Sequence, residues 1–320
     1  MAIAPSADAD HAFDHARLLQ EAADARNREA KPVVHLRAVI EFTNLCHRNC
    51  LYCGMRMANK SLGRYEMDGS DILGCAERAW QDGLKTVMIQ GGDHLTYDID
   101  QLCKAVRVIS EGFAQTVLLS LGDRPLRDYE KLYAAGARQA LVKFETSNDK
   151  LYRRMRPHNT LQKRLGLIHS LKNMGFEMSS GFILGLPGST RQDVERDLAL
   201  IQDLPLFAAS VSPFVPNDQA PLANQQLAGL DETLECIARI RLSGPNLRIP
   251  AVSALNLLAK AEGRAKPGQL LGLLAGANNL TINYTPPTYQ DAYVIYATRR
   301  SIVQLEFAKQ ITSQAELEIA

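Results

Sequence analysis

Three cysteines, Cys46, Cys50 and Cys53, stand within eight residues of one another in the run EFTNLCHRNCLYCGMR, residues 41–56. Three thiolates on one short loop can hold three corners of an iron–sulfur cubane. A [4Fe–4S] cluster normally takes four cysteines, so a C-x3-C-x2-C loop leaves one iron open to an outside ligand. The competing chemistry is a structural zinc site completed by His47 or another histidine. Structural zinc ligands usually come as separated pairs, whereas these three are crowded together. The remaining cysteines, Cys75, Cys103 and Cys236, fall singly in helical stretches, where cysteine is usually a small core residue. The distribution does not look like a disulfide framework.

Something must position that loop, and the rest of the chain supplies a regular scaffold. Strand-like runs recur at 34–42, 86–91, 116–122, 139–145, 177–185, 208–215, 247–254 and 279–284. Helical patterns lie between them, near 70–82, 99–111, 125–135, 161–174, 190–203, 230–242 and 266–275, with Gly83, Gly136, Gly175 and Gly276 at or near helix ends. Strand and helix alternate throughout. Such alternation predicts a parallel sheet covered by helices, and eight units in roughly 250 residues predict an α/β fold of the (β/α)8 TIM-barrel type. An N-terminal helix over 8–29 belongs to a segment spanning 1–32, the barrel spans 33–297, and a C-terminal helix occupies 298–320. The cysteine loop follows the first strand, at the end of a barrel where reactive residues gather.

Composition narrows the partners. Lys plus Arg number 36 against 35 Asp plus Glu, a net charge of +1, so no strong field recruits nucleic acid or an anionic membrane surface. No apolar run approaches the roughly 20 residues that span a bilayer, and the N-terminus has no basic region leading into an apolar stretch. The reading is a soluble, cytoplasmic protein whose partners are small molecules and other proteins.

An open iron suits S-adenosylmethionine (SAM), whose amino and carboxylate groups can chelate it. An electron from the reduced cluster then breaks the sulfonium bond to give a 5'-deoxyadenosyl radical. At this loop the sequence resembles the radical SAM superfamily, in the branch containing biotin synthase, methylornithine synthase and the [FeFe]-hydrogenase maturase HydE. The likeness is strongest to HydE and runs on through LLSLGDRP, FETSNDKLYRRMRP, GFILGLPGST, SPFVPNDQAPLAN and NYTPPTYQDAY. It implies a barrel enzyme with one [4Fe–4S] cluster and SAM, supplied with electrons by a flavodoxin or ferredoxin.

The resemblance also implies residue roles. Gln90-Gly91-Gly92-Asp93, closing the second strand, resembles the SAM-binding GGE element, in which glycines admit close backbone approach and a carboxylate can meet the methionyl ammonium. Glu145, at the end of the apolar run QALVKF, needs a polar partner there, and Arg164 matches an arginine directed at the SAM carboxylate. Tyr52 would shield the cluster, Ser120 lies on the same face, and Gly181 through Gly185 would bring backbone toward adenine. Substrate contacts are expected from Gln90, Lys143, Ser253 and Tyr293, with Tyr296 beside the last. Lys143 replaces an arginine of the HydE pattern and Val252 a threonine, which changes how the pocket reads an anion. No cysteines match those of an auxiliary cluster, which argues against sulfur insertion. The activity implied is a HydE-like radical reaction on a small or metal-bound substrate. The alternatives are an amino-acid mutase resembling methylornithine synthase and a non-catalytic metal-binding scaffold.

Overall fold

The computed structural model describes residues 7–296 and 301–320. Seven parallel strands form a curled sheet: β1 (Val33–Thr43), β2 (Thr86–Gly91), β3 (Thr116–Ser120), β4 (Gln139–Leu141), β5 (Glu177–Leu184), β6 (Leu206–Pro213) and β7 (Asn279–Asn283). Their spatial order is β6-β5-β4-β3-β2-β1-β7, and a short β8 (Glu318–Ile319) pairs with the start of β1.

The run 247–254, expected as a strand, is reduced to two isolated bridges, Ala208↔Arg248 and Pro250↔Asn279. These still link the two edges of the sheet, with Ala209 N donating to Arg248 O and Ala251 N to Asn279 O at 3.0 Å each. Pro250 has no N–H for a ladder, and Ser253 already has helical dihedrals (φ −62, ψ −23). The expected strand over 139–145 is likewise cut to β4, with Glu145, at φ 65, meeting β5 only through an isolated bridge to Phe182, and the strand over 116–122 stops before Gly122 at φ 74.

Helices cover the outside. They are α1 (Ala7–Ala25), α2 (Gly69–Gln81), α3 (Ile99–Arg107), α4 (Leu126–Ala134), α5 (Asp149–Met155), α6 (Leu161–Met174), α7 (Arg191–Asp203), α8 (Leu230–Ser243), α9 (Ala254–Ala261), α10 (Gly268–Leu274), α11 (Pro287–Gln290) and α12 (Leu305–Gln314). The short α5, α9 and α11 escape sequence periodicity, which needs more than two turns to register. The expected C-terminal helix over 298–320 appears as α12 followed by β8; residues 298–300 and 1–6 lie outside the described residues.

Strand alternation divides the side chains between two environments. Along β1, Ala38, Ile40 and Phe42 pack into the core under the helices, while Arg37, Val39 and Glu41 face an interior cavity. Cys75 and Cys236 are buried on α2 and α8, and Cys103 is half-buried on α3. Among the described residues no helix is long and apolar enough to cross a membrane.

At the end of the barrel away from the cysteines, α1 runs into a π-helical turn, Arg26–Ala30, that is fixed by buried arginines. Arg26 Nη1 donates to Leu273 O and, at 3.2 Å, to Ala277 O; Arg241 Nε donates to Gly276 O at 2.9 Å. These carbonyls lie at and just beyond the C-terminus of α10, the negative end of its dipole. Burial lowers both guanidinium pKa values to about 10. Replacing Arg26 with Ala removes charged donors from buried carbonyls and is expected to cost about 1.5–3 kcal/mol, measurable as a lower midpoint in urea unfolding.

Candidate active site

A cavity of about 370 Å³ opens among the loops that follow the strands. Its wall brings together Cys46, Cys50, Cys53 and Tyr52 from the loop after β1, with Gln90, Gly91, Gly92 and Asp93 at the end of β2. Ser120 reaches it from β3, Lys143 and Glu145 from the segment after β4, and Arg164 from α6; Ser253 and Tyr293 complete the expected set. Gly185 does not join them. It lies outside this wall in a turn against Ala228, whose Cβ would be 2.8 Å from a Cβ at Gly185.

The end of β2 carries the cysteine loop. A Cβ on Gly92 would fall 2.1 Å from Leu45 O and 2.9 Å from Cys46 Cβ, so only glycine lets the two segments touch. Gly92 N donates to Thr43 O at 3.0 Å and His47 N to Asp93 O at 3.1 Å. Arg64, not singled out by sequence, clamps the loop from the other side by donating to Asn44 O (2.7 Å), Met55 O and Arg56 O (both 2.8 Å).

Burial pushes the Cys53 thiol far up, with Cys50 and Cys46 adding to it, and burial likewise raises Cys46. Such thiols ionise readily only when a cationic centre compensates them. Three thiols lining one cavity are a donor set that fits a cubane, in which each thiolate binds a different iron.

Beside the cysteines lies a buried ionic network. Asp123, in the loop after β3, accepts from Arg156 Nη2 at 3.0 Å and Asn159 Nδ2 at 2.7 Å, lies 3.3 Å from Arg48 Nη2, and bonds Arg164 through its other oxygen. Burial alone would raise its carboxyl, but Arg164, Arg156 and Arg48 outweigh that and hold it well below the usual carboxylate range. Glu145 faces Arg156 Nη1 at 3.4 Å, Arg164 Nη2 at 4.0 Å and Lys143 Nζ at 3.8 Å. Burial lowers the Lys143 ammonium, opposed by Glu145. Tyr52 OH accepts from Arg156 at 3.2 Å, and Arg164 Nε donates to Lys143 O at 2.7 Å.

Glu145 keeps its φ of 65 because its N–H donates to Gly181 O at 3.1 Å and its carbonyl accepts from Ile183 N at 2.8 Å. A non-glycine residue held there typically costs about 1–3 kcal/mol, and such residues concentrate at functional sites. The Asp93 carboxylate is engaged within the protein: it accepts from Arg48 Nε at 2.6 Å and Asp123 N at 3.2 Å. Gly122, at φ 74, makes room for it, since a Cβ there would be 2.8 Å from Asp93 Cγ.

Deeper in the cavity the lining is mixed. Arg37 Nε donates to Thr281 Oγ1 at 2.8 Å, Glu41 accepts from Asn283 Nδ2 at 3.0 Å, and Ser253 Oγ shares a 2.6 Å hydrogen bond with Tyr296 OH. Tyr293 is fully buried and packs with Met55 and Val294. Sequence inspection of the strand ends passed over Asp123, Arg48 and Arg156. Asp123 lies three residues beyond β3, and a scan of whole loops, not strand ends alone, would have reached it.

The sequence profile of the radical SAM superfamily matches residues 40–201, the span from the cysteine strand through α7. The chain belongs to the radical SAM superfamily. It is 35% identical over 299 residues, 93% of this chain and 84% of the relative, to the [FeFe] hydrogenase maturase subunit HydE of Thermotoga maritima. It is 25% identical to 3-methylornithine synthase of Methanosarcina barkeri over 86% of this chain and 76% of that one. The crystal structure of methylornithine synthase superposes with a TM-score of 0.83 over 99% of this chain and 90% of that chain, at 22% identity, a likeness of fold. The protein is therefore a radical SAM enzyme, of a superfamily whose general activity is SAM cleavage at a [4Fe–4S] cluster.

In this radical SAM enzyme the Asp123 carboxylate is the shared acceptor of three arginines. Asp123→Ala leaves them uncompensated and is expected to lower stability by about 3–5 kcal/mol, read as a fall in the thermal unfolding midpoint of the cluster-free protein.

Proposed function

We propose that Cys46, Cys50 and Cys53 hold one [4Fe–4S] cluster with an open iron facing the cavity, and that SAM cleavage there activates a small substrate, free or metal-bound, inside the barrel. The single observation that carries this is that the three thiols border one cavity with Glu145, Arg156 and Arg164, the two arginines being held from behind by Asp123. When bound, the cluster supplies the electron that breaks the sulfonium bond of SAM and yields the 5'-deoxyadenosyl radical.

The chain's own residues divide the remaining work. Arg164, held by Asp123 and by Lys143 O, offers a planar guanidinium to the SAM carboxylate. Glu145, fixed by its strained backbone, accepts hydrogen bonds from SAM, and Gly91 and Gly92 let backbone approach it closely. Ser120 adds a hydroxyl to the same wall, and Tyr52 covers the cluster side with its hydroxyl tied to Arg156. Asp93, which accepts from Arg48 and from Asp123 N, braces the cysteine loop and keeps acceptor capacity for the methionyl ammonium. Gly185 supports the turn after β5 and has no contact role in this scheme.

Gln90, Lys143, Ser253 and Tyr293 bind the substrate along the cavity wall. The identity to HydE favours a HydE-like reaction, with Lys143 and Val252 shifting substrate preference, and a flavodoxin or ferredoxin as electron donor. Lys143 presents a compact ammonium where an arginine would present a fork, which suits a smaller anionic group.

The test is anaerobic. Protein reconstituted with iron and sulfide, reduced and given SAM is expected to release 5'-deoxyadenosine, while Cys53→Ala releases none. Absence of product from a wild-type protein with a reducible cluster that binds SAM would contradict the proposal.

A further inference from the structure

The loop that follows β6 contains Asn217, 1% exposed, whose Nδ2 is buried without a hydrogen-bond partner. A buried amide N–H left unpaired costs on the order of 1–3 kcal/mol. Its orientation is not arbitrary. Oδ1 accepts from Gln219 N at 2.9 Å, which turns the NH2 group the other way. On that side lies Gly54, directly after Cys53: a Cβ on Gly54 would sit 2.5 Å from Asn217 Nδ2 and 2.5 Å from Val294 O.

The contact is built from both sides. Asn59 Nδ2 donates to Gly54 O at 2.7 Å and to Gln219 Oε1 at 2.8 Å, tying the cysteine loop to the β6 loop at this point. Gly54 N donates to Ile295 O at 3.2 Å, and Cys53 itself packs against the cluster of Met55, Tyr293 and Val294. The amide is thus pressed against the third cysteine's peptide with its donor unspent. The residue directly before Gly54 is Cys53, whose side chain is half-buried and lines the cavity.

We propose that the Asn217 side-chain amide donates a hydrogen bond to the sulfur of the Cys53 corner when the cluster is bound, and so sets the cluster's reduction potential. The inference rests on the assignment of the cluster to Cys46, Cys50 and Cys53. An N–H directed at a thiolate sulfur stabilises the more negative, reduced state more than the oxidised one, so it raises the potential. Asn217 is a positioning and tuning residue in this scheme, without contact to SAM or substrate.

The experiment compares reconstituted wild type, Asn217→Leu and Asn217→Asp, matched for iron and sulfide content. Potentiometric titration followed by EPR is expected to give more negative midpoint potentials in both variants, further negative in Asn217→Asp, which adds a negative charge. Wild type carrying side-chain 15N-asparagine is expected to show a nitrogen hyperfine coupling to the reduced cluster that Asn217→Leu lacks. Equal potentials, or no 15N coupling in a wild-type protein whose cluster signal is intact, would overturn the inference while leaving the cluster assignment standing. Failure of wild type to assemble any cubane would instead refute that assignment. Should either variant fail to take up iron, the other supplies the comparison, and a wild-type protein without 15N coupling still overturns the inference.

Discussion

The mouth of this barrel is organised by the desolvation of charge around Asp123. One carboxylate receives Arg48 from the cysteine loop, Arg156 from the end of α5 and Arg164 from α6, three elements far apart in the chain. Buried ions are expensive to strip of water, and mutual attraction offsets that cost only where geometry is good and spare lone pairs are filled. Asn159 fills one of those lone pairs. The consequence is mechanical as well as electrostatic, because Arg48 also grips Asp93 and through it the end of β2. The cysteine loop, the β2 turn and α6 are registered against one another by two adjoining carboxylates, Asp123 and Asp93.

The same network gives the cavity its polarity. On the cysteine side Arg156 and Arg164 keep part of their donor capacity directed at Glu145, whose backbone is forced into a left-handed conformation to meet them. On the deeper side the lining alternates hydroxyls, Arg37 and Glu41 with apolar Val39, Met88 and Leu141. A charged, directional wall therefore adjoins a chamber of mixed chemistry, and Tyr52 and Tyr293 both line it.

Much of this was legible in the sequence, for reasons that differ by residue. The cysteine loop declared itself because its spacing is local and its meaning does not depend on the fold. The strand ends Gln90, Ser120 and Lys143 followed from period and alternation, which fix where a barrel presents its side chains. What escaped is long-range or conformational. Asp123 pairs with residues 33, 41 and 75 positions away in the chain, and no window of local pattern contains such a pair. The strand at 247–254 looked continuous in hydropathy, yet Pro250 removed its donor and the chain turned helical at Ser253. Gly185, a cofactor contact implied by the resemblance, lies outside the cavity wall and against Ala228, a packing relation that no local pattern shows.

The proposed chemistry requires an iron with no protein ligand facing the cavity. Its most direct measurement is EPR and electron–nuclear double resonance of the reduced, reconstituted protein, with and without SAM carrying 17O in its carboxylate. The account predicts a cluster signal that changes on adding SAM and shows 17O coupling to iron. An unchanged spectrum without 17O coupling, from protein shown to bind SAM, would mean that all four irons are closed to it and that SAM binds elsewhere.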